Sequence, residues 1–342
     1  MSDLVLVTGG SGFVAAHVIV QLVAAGYRVR TTVRSAGRAA VVRDMLRHGG
    51  VAEPGVVECV EADLLVDAGW VDACAGCRYV LHVASPMAAS QSAADLERAA
   101  VDGTLRVLRA ARDAGVERVV YTSTCGAVYY GHPERAEPFD ERDWTNLDSS
   151  EMSAYVRSKA LAERAAWDFV AREGGSLELS VVNPSGIFGP ALGRDYSSSL
   201  DLIRRLVAGQ MPACPDLWFG VVDVRDVASL HLLVMASPQA AGERFICTQG
   251  GAVSMLAIAR ELKRRLGARG RRVPTRRLPN VVVRAIGLVN PEMKSLIPLL
   301  GKARSATSAK AMRTFGWQPR GWEDAVVASA ESLFELGLVD AR

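Results

Sequence analysis

Cysteine and histidine are scarce in this sequence of 342 residues, and neither type is clustered. The six cysteines follow no regular spacing, which argues against a disulfide framework and favours reduced thiols in a cytoplasmic protein. One close pair, Cys74 and Cys77, has no second cysteine pair to complete a typical ligand set. Because the five histidines are also scattered, we predict no metal site.

A strong net charge and long apolar runs are absent as well. The formal net charge is +3 at pH 7, which gives no reason to expect nucleic acid as a partner. The most apolar stretches, residues 13–25 and 281–289, contain polar residues and are shorter than the roughly 20 residues that cross a bilayer. No basic leader precedes an apolar segment at the N-terminus, so we expect neither an export signal nor a membrane span.

The excess of positive charge is concentrated in residues 263–277. This stretch contains Lys263, Arg264, Arg265, Arg269, Arg271, Arg272, Arg276 and Arg277. The simpler interpretation is a solvent-exposed helix end and loop. Contact with a phosphate or with coenzyme A is the alternative, and the sequence leaves both open.

The sequence does contain a regular alternation of short apolar segments and longer helical patterns. Strands are predicted at residues 4–8, 28–33, 56–61, 79–83, 118–123 and 177–183, and helices at 13–25, 38–48, 94–114 and 153–171. The strand segments are unbroken apolar runs, which is typical of parallel strands buried on both faces. The alternation predicts an α/β fold with a Rossmann-type, doubly wound parallel sheet.

The pattern loosens after residue 184, where glycine, proline and serine become frequent. A smaller, mostly helical substrate lobe is predicted to begin there. Residues 219–224 and 244–247 are predicted strands that return the chain to the main sheet, with helices at 227–235, 281–289 and 324–337. We therefore expect two interleaved domains: residues 1–185 plus about 219–250 for a nucleotide, and about 186–218 plus 251–342 for the substrate.

A glycine-rich turn follows the first predicted strand. Gly9 and Gly12, with Ala15 one helical turn later, open the first helix. In this arrangement backbone amides and the positive helix end face a pyrophosphate, so Phe13 and Val14 are also counted as binding residues. The alternative is a turn that only joins strand to helix.

The end of the second strand predicts the choice of nicotinamide cofactor. Residues 31–38 contain Arg34 and Arg38 but no carboxylate, and cations at this place bind the 2′-phosphate of NADPH. Two charge-assisted hydrogen bonds of about 1.5–3 kcal/mol each would favour NADPH over NADH by a hundredfold or more. The alternative is that both arginines only coat the surface.

Further cofactor contacts are predicted at the ends of later strands, where the carboxyl edge of the sheet binds a nucleotide. These are Asp63 and Leu64 after the third strand, Val83, Ala84 and Ser85 after the fourth, and Pro184 after the sixth.

Tyr155 and Lys159 are spaced to lie on one face of a predicted helix. Tyr155 would donate a proton to a substrate oxygen, and Lys159 would lower the pKa of the phenol towards neutrality and contact the nicotinamide ribose. Thr124, at the end of the fifth strand, would hydrogen-bond the same oxygen. The three residues predict a site for carbonyl reduction.

Several segments resemble one known family. They are Val7-Thr8-Gly9, Thr32-Val33-Arg34 and residues 81–86, 101–104, 155–162, 183–190, 222–228 and 315–319. On these segments the chain resembles the extended short-chain dehydrogenases/reductases, and most closely the branch of dihydroflavonol reductases, cinnamoyl-CoA reductases and microbial NADPH-dependent aldehyde/ketone reductases. The resemblance runs almost end to end and implies an NADPH-binding Rossmann fold with a Ser/Tyr/Lys site.

The chain departs from this family at two positions. The catalytic serine of the family falls on Thr124, which keeps the hydroxyl but adds a methyl group that restricts its rotamer, so Ser123 is the second candidate. Ala15 stands where many relatives have glycine, and a small side chain still permits close packing of the helix.

The resemblance also implies a substrate pocket between the sheet edge and the C-terminal lobe. Its candidate wall residues are Met87, Tyr129, Phe188, Tyr196, Trp218 and Phe219. Such apolar and aromatic walls suit a small aldehyde or ketone as substrate. We expect a monomer or a homodimer.

Three functions agree with this pattern. The first is an NADPH-dependent oxidoreductase that reduces an aldehyde or ketone to the alcohol. The second is a redox-neutral nucleotide-sugar epimerase or dehydratase, which shares the fold and the site; Arg34 and Arg38 speak against it. The third is a non-catalytic, dinucleotide-sensing regulator, which the presence of Tyr155 and Lys159 makes less favoured.

Overall fold

The computed structural model describes residues 2–86, 92–149, 151–195 and 197–340. Its strands are β1 (Leu4–Val7), β2 (Arg28–Val33), β3 (Glu58–Glu61), β4 (Tyr79–His82), β5 (Arg118–Thr122), β6 (Glu178–Pro184), β7 (Gly186–Phe188), β8 (Trp218–Phe219), β9 (Val221–Asp223), β10 (Arg244–Cys247) and β11 (Val253–Ser254).

The helices of the first half are α1 (Phe13–Ala24), α2 (Arg38–His48), α3 (Trp70–Cys74), α4 (Ala93–Asp113), α5 (Gly126–Tyr129) and α6 (Ala154–Glu173). Those of the second half are α7 (Ser198–Val207), α8 (Val224–Ala236), α9 (Met255–Leu266), α10 (Asn280–Ile286), α11 (Pro291–Leu296), α12 (Ala309–Phe315) and α13 (Trp322–Glu335). Short 3-10 helices lie at Pro54–Val56, Pro238–Ala240, Gly267–Gly270 and Ile297–Leu299.

Seven parallel strands form the central sheet in the order β10-β6-β5-β4-β1-β2-β3. The order reverses at β1, as in a doubly wound Rossmann sheet. Alternate residues of a strand point to opposite faces, so Val5 and Val7 pack on the side of α1 and α8, and Leu4 and Leu6 on the side of α4 and α6. The predicted fold class is confirmed.

The helical C-terminal region is also confirmed. Apolar residues of α7, α9 and α13 share one buried cluster with Phe188 and Val221. Two serines of α13 attach it to the chain after β7, because Ser329 Oγ accepts from the Gly189 amide at 2.7 Å and Ser332 Oγ from the Ala191 amide at 2.8 Å. The sequence boundaries between the two predicted domains stay a prediction.

The predicted strand over residues 219–224 is wrong in its extent. The structure divides this segment into β8, which pairs with β11, and β9, which pairs with β7, and neither joins the main sheet. Gly220 separates them, and a Cβ there would lie 2.8 Å from Ser185 Cβ. The close approach of two chain segments at this glycine therefore interrupts the strand.

Two other boundaries differ for local reasons. Residues 54–56 form a 3-10 helix that starts at a proline, so β3 begins only at Glu58. The predicted helix over residues 281–289 ends at Ile286, ahead of Gly287. Among the described residues, no helix combines the length and apolar character needed to cross a membrane.

The basic stretch at residues 263–277 lies at the surface, at the end of α9 and in the loop beyond it. Arg264 and Arg265 pair with Glu261, and Arg265 also approaches Asp324 at 3.4 Å. Lys263 donates to main-chain carbonyl groups of the same stretch, that of Val273 at 3.3 Å among them. These contacts are typical of an exposed helix end. They favour the interpretation of the basic stretch as a solvent-exposed helix end and loop over contact with a phosphate or coenzyme A.

Candidate active site

The glycine-rich turn between β1 and α1 is held tightly against β2. The Gly9 amide donates to Thr32 Oγ1 at 2.8 Å, and the Gly10 amide donates to the Thr32 carbonyl at 3.0 Å. Gly9 has a φ of +75°, which L-residues with side chains rarely adopt. A Cβ on Gly10 would lie 2.3 Å from Thr31 Oγ1. The turn thus leaves a cradle of bare backbone at the carboxyl edge of the sheet.

The start of α1 offers its amides to a ligand. Gly12 is the N-cap and provides no side chain, and the first turn contains no acidic residue. The amides of Phe13 and Val14 therefore lie at an uncapped, positive helix end, as pyrophosphate binding requires. The Phe13 side chain itself packs with Ala191, Leu200 and Val224. This geometry fits a dinucleotide, with binding by main chain and not by the phenyl ring.

Replacing Gly10 with Ala should destabilise the protein by about 1–3 kcal/mol, since the new methyl group would overlap the buried Thr31 side chain. Chemical denaturation of both proteins would measure the loss. Gly37→Ala is the matched control, because Gly37 has φ −58° and no atom within 4 Å of an added Cβ. A Gly10→Ala protein as stable as this control would contradict the tight turn.

The structure gives the two predicted phosphate-binding arginines different surroundings. Arg34 is exposed and forms no ion pair or hydrogen bond within the described ranges. Arg38 donates to Ser11 Oγ from Nε at 3.2 Å and from Nη2 at 3.1 Å, and it also pairs with Asp195. Arg38 therefore lies beside the glycine-rich turn, within reach of the same ligand.

Two carboxylates that the sequence did not single out lie near these arginines. Asp195 comes from the chain between β7 and α7, and Glu61, at the end of β3, accepts from the Ala36 amide at 2.5 Å. Glu61 is the register partner of Val33, so strand pairing brings it to the end of β2. Residues 31–38 lack a carboxylate in sequence, but the folded loop has one on each side.

The remaining predicted cofactor residues lie at the carboxyl edge. The Ala84 amide donates to Thr8 Oγ1 at 2.9 Å, and a Cβ added to Gly9 would lie 3.1 Å from the Ala84 Cβ. Asp63 is half-buried and its Oδ1 accepts from the Leu65 amide, whereas Leu64 is buried in the core. Val83 and Ser85 are half-buried, and Pro184 is buried.

Tyr155 and Lys159 occupy the first turns of α6. The helix begins at Ala154 and is capped by Ser153, whose Oγ accepts from the Val156 amide at 3.2 Å, so Tyr155 is the second residue of the helix. The Tyr155 residue is 41% exposed, whereas Lys159 is 3% exposed. Lys159 Nζ donates to the Thr122 carbonyl, at the end of β5, at 2.7 Å. An accessible phenol thus stands one helical turn from a buried ammonium.

The electrostatics of this pair correct one prediction. Partial removal from water raises the pKa of Tyr155, and the predicted lowering by Lys159 does not hold in this structure. The ammonium is directed to a main-chain carbonyl instead. Burial lowers the pKa of Lys159 to about 8, against an opposing effect of Glu163. Lys159 therefore loses its charge near pH 8.

The hydroxyls of Ser123 and Thr124 are distinguished by their partners. Ser123 is buried, and its Oγ donates to Glu163 Oε2 at 2.5 Å. Thr124 is half-buried, and its Oγ1 has only a long contact of 3.4 Å as donor to the Pro184 carbonyl and accepts from the Gly126 amide at 3.1 Å. The Thr124 hydroxyl is the one free to turn to a ligand.

Four of the six predicted substrate residues are described by the structure, and their surroundings differ. Met87 and Tyr196 lie outside the described residues. Phe188 is buried in the C-terminal core, and Tyr129 packs against Phe139 and Tyr130. Trp218 is exposed and borders a cavity of about 140 Å³ with Asp216 and Arg277, and Phe219 is half-buried in the C-terminal cluster. Substrate contact by these residues stays a prediction.

The family profile described as "NAD dependent epimerase/dehydratase family" matches residues 5–247, from β1 to the end of β10. The chain belongs to this family. Its extended short-chain dehydrogenase/reductase character, which the resemblance implied, is confirmed. The match covers every strand of the main sheet, together with the glycine-rich turn and α6.

Two curated relatives are reductases by name. Cinnamoyl-CoA reductase 1 of Oryza sativa subsp. japonica is 37% identical over 249 residues, which cover 72% of this chain and 71% of the relative. Dihydroflavonol 4-reductase of Zea mays is 33% identical over 254 residues, covering 71% and 69%.

The fold is also found in a solved structure, that of yeast methylglyoxal/isovaleraldehyde reductase Gre2 complexed with NADPH. The TM-score is 0.78 at 24% identity, and the alignment covers 98% of this chain and 100% of that one. At this identity the likeness establishes the fold.

Proposed function

We propose that this protein is an NADPH-dependent carbonyl reductase that converts a small aldehyde or ketone to its alcohol. The observation that carries the proposal is the accessible Tyr155 phenol one helical turn from the buried Lys159 ammonium, at the sheet edge that also holds the glycine-rich turn. The reductase names of the curated relatives support it.

The cofactor is NADPH, which supplies the hydride when it is bound. The uncapped start of α1 accommodates the pyrophosphate, and Arg34 and Arg38 bind the 2′-phosphate. The NADPH complex of the solved reductase with the same fold supports this choice.

Residues of the chain itself carry out the proton transfer. Tyr155 donates its phenolic proton to the carbonyl oxygen as charge develops there, and the Thr124 hydroxyl donates a hydrogen bond to the same oxygen. The raised pKa of Tyr155 keeps the phenol protonated, as a donor must be. The Lys159 ammonium would contact the nicotinamide ribose, and it requires a pH below about 8 to stay charged.

The runner-up is a redox-neutral epimerase or dehydratase, and the description of the matching family favours it as a second candidate. Such an enzyme returns the hydride to its substrate and shows no net oxidation of cofactor. The reductase names of the relatives and the two arginines weigh against it.

The proposal is tested by following oxidation of NADPH and of NADH by the purified protein with a panel of aldehydes and ketones that includes aromatic members. Net oxidation with NADPH preferred is the expected result. No oxidation with any carbonyl, together with a cofactor that copurifies tightly, would favour the epimerase or dehydratase.

Replacing Asp195 with Asn should strengthen NADPH binding about two- to fivefold. In the variant, Arg38 has no exposed ion pair with residue 195 that must break before the guanidinium binds the phosphate. NADH, which lacks the 2′-phosphate, should bind unchanged. Fluorescence titration with both cofactors measures the effect. Asp44→Asn removes a carboxylate from the nearby α2 as a control, and equal changes for NADPH and NADH in the Asp195 variant would contradict the role of the pair.

A further inference from the structure

Glu163 is a fully buried carboxylate next to the proposed site, and the mechanism above does not use it. It follows Lys159 by four residues and Tyr155 by eight on α6, so all three lie on one face of the helix. A buried carboxylate is costly unless hydrogen bonds and an opposite charge compensate it. The hydrogen-bond partners of Glu163 therefore indicate which parts of the site its carboxylate holds together.

The carboxylate joins the ends of three neighbouring strands. Oε2 accepts from Ser123 Oγ, just after β5, at 2.5 Å and from Asn183 Nδ2, in β6, at 2.9 Å. Oε1 accepts from Arg244 Nε, in β10, at 2.6 Å. The same Nδ2 of Asn183 also donates to the Thr124 carbonyl at 3.2 Å. Glu163 thus fixes the short segment that carries Thr124.

Arg244 balances the charge of Glu163 and is itself only 7% exposed. Its Nη1 donates to the carbonyls of Glu141 and Asp143 at 2.9 and 3.0 Å, and its guanidinium lies 3.7 Å from the centre of the Trp144 ring. Among the described residues the guanidinium is thus bound through Nε and Nη1 and by the Trp144 ring, whereas its buried Nη2 has no hydrogen-bond partner.

Lys159 is the nearby group that this charge influences. The ammonium faces His82 on β4, Tyr121 on β5 and Glu163 on its own helix. Burial lowers the pKa of His82 to about 3 and raises that of Tyr121, so both are neutral at working pH. Glu163 is the group among these whose charge favours the ammonium.

We propose that Glu163 is a positioning residue of the reductase site, which holds the Ser123–Thr124 segment in place and keeps the Lys159 ammonium charged at neutral pH. The inference rests on the proposed function, because that function gives Thr124 its hydrogen bond to the substrate oxygen and Lys159 its contact with the cofactor. A purely structural ion pair would affect only stability.

The decisive variant is Glu163→Gln, read out by the pH profile of kcat and by NMR titration of carbon-13-labelled lysine. Without the negative charge, the Lys159 titration and the alkaline limb of kcat should both move down by about one pH unit. The lysines are Lys159, Lys263, Lys294, Lys302 and Lys310, and Lys159→Met assigns the signal. NADPH affinity should stay nearly unchanged.

The matched control is Glu178→Gln. Glu178 pairs with the buried Arg118 at 2.5 Å, but at the amino ends of β5 and β6, on the opposite edge of the sheet. This variant should lower the melting temperature without moving either titration. Glu163→Asp, which keeps the charge but shortens its reach, should restore the Lys159 titration while kcat stays low.

Glu163→Gln leaves Arg244 without its counter-ion and can fail to fold, so the double variant Glu163→Gln/Arg244→Gln is made in parallel. A folded neutral variant with an unchanged Lys159 titration overturns the proposal. A wild-type protein that reduces no carbonyl refutes the proposed function instead, and the NMR titration still decides whether Glu163 keeps Lys159 charged.

Discussion

Tyr155→Phe should lower kcat for carbonyl reduction by about 10²–10⁴-fold, because the ring remains in place and only the donated proton is lost. Binding of NADPH should be nearly unaffected, since we propose that the glycine-rich turn and the two arginines provide most of the contacts to the cofactor. Steady-state kinetics with the best carbonyl substrate and a separate NADPH titration measure the two quantities.

Tyr79→Phe is the matched control for this prediction. Its hydroxyl donates to Glu117 Oε1 at 3.3 Å at the amino end of β4, away from the site, so its removal should leave kcat unchanged. If turnover survives in the Tyr155 variant, another group donates the proton, and Tyr155 has no part in the mechanism.

The double variant Arg34→Ala/Arg38→Ala should lose a NADPH preference of about a hundredfold, because in the proposed complex each guanidinium would contribute a charge-assisted hydrogen bond of about 1.5–3 kcal/mol to the 2′-phosphate. The affinity for NADH should change little. The ratio of kcat/KM with the two cofactors measures the preference, and each single variant should lose part of it.

Arg47→Ala is the control for general electrostatics, because Arg47 lies on the same helix as Arg38 and pairs with Asp44 at the surface. It removes the same charge without removing a predicted phosphate contact. If the double variant lost kcat/KM equally with NADPH and NADH, the arginines would stabilise the protein or bind a part that both cofactors share, and not the 2′-phosphate.

The fold was predictable because its determinants are local. A continuous apolar segment such as residues 4–7 is buried on both faces, and such segments alternate with helices, so a doubly wound sheet follows. The extent of the strand over residues 219–224 was not predictable, because Gly220 is required by the approach of Ser185, a residue distant in sequence.

The candidate site also contains some features that local sequence predicts and others that depend on distant contacts. The sequence alone determined the glycine-rich turn after β1 and the spacing of Tyr155 and Lys159, since both depend on the geometry of one strand end or one helix. Glu163 follows Lys159 by four residues, so the same helical spacing also places Glu163 on the face of Tyr155 and Lys159. The sequence could not distinguish the hydroxyl groups of Ser123 and Thr124. In the folded protein the Ser123 hydroxyl donates a hydrogen bond to Glu163, a residue on another element.

Only the tertiary structure decided which charges surround the site. Glu61 reaches the end of β2 through strand register, Asp195 reaches Arg38 from the chain after β7, and Arg244 reaches Glu163 from β10. These contacts join residues far apart in sequence, and no local period encodes them. Electrostatic interactions act through space, so the charge on Lys159 and the surroundings of the arginines are fixed only when the sheet and the C-terminal region have assembled.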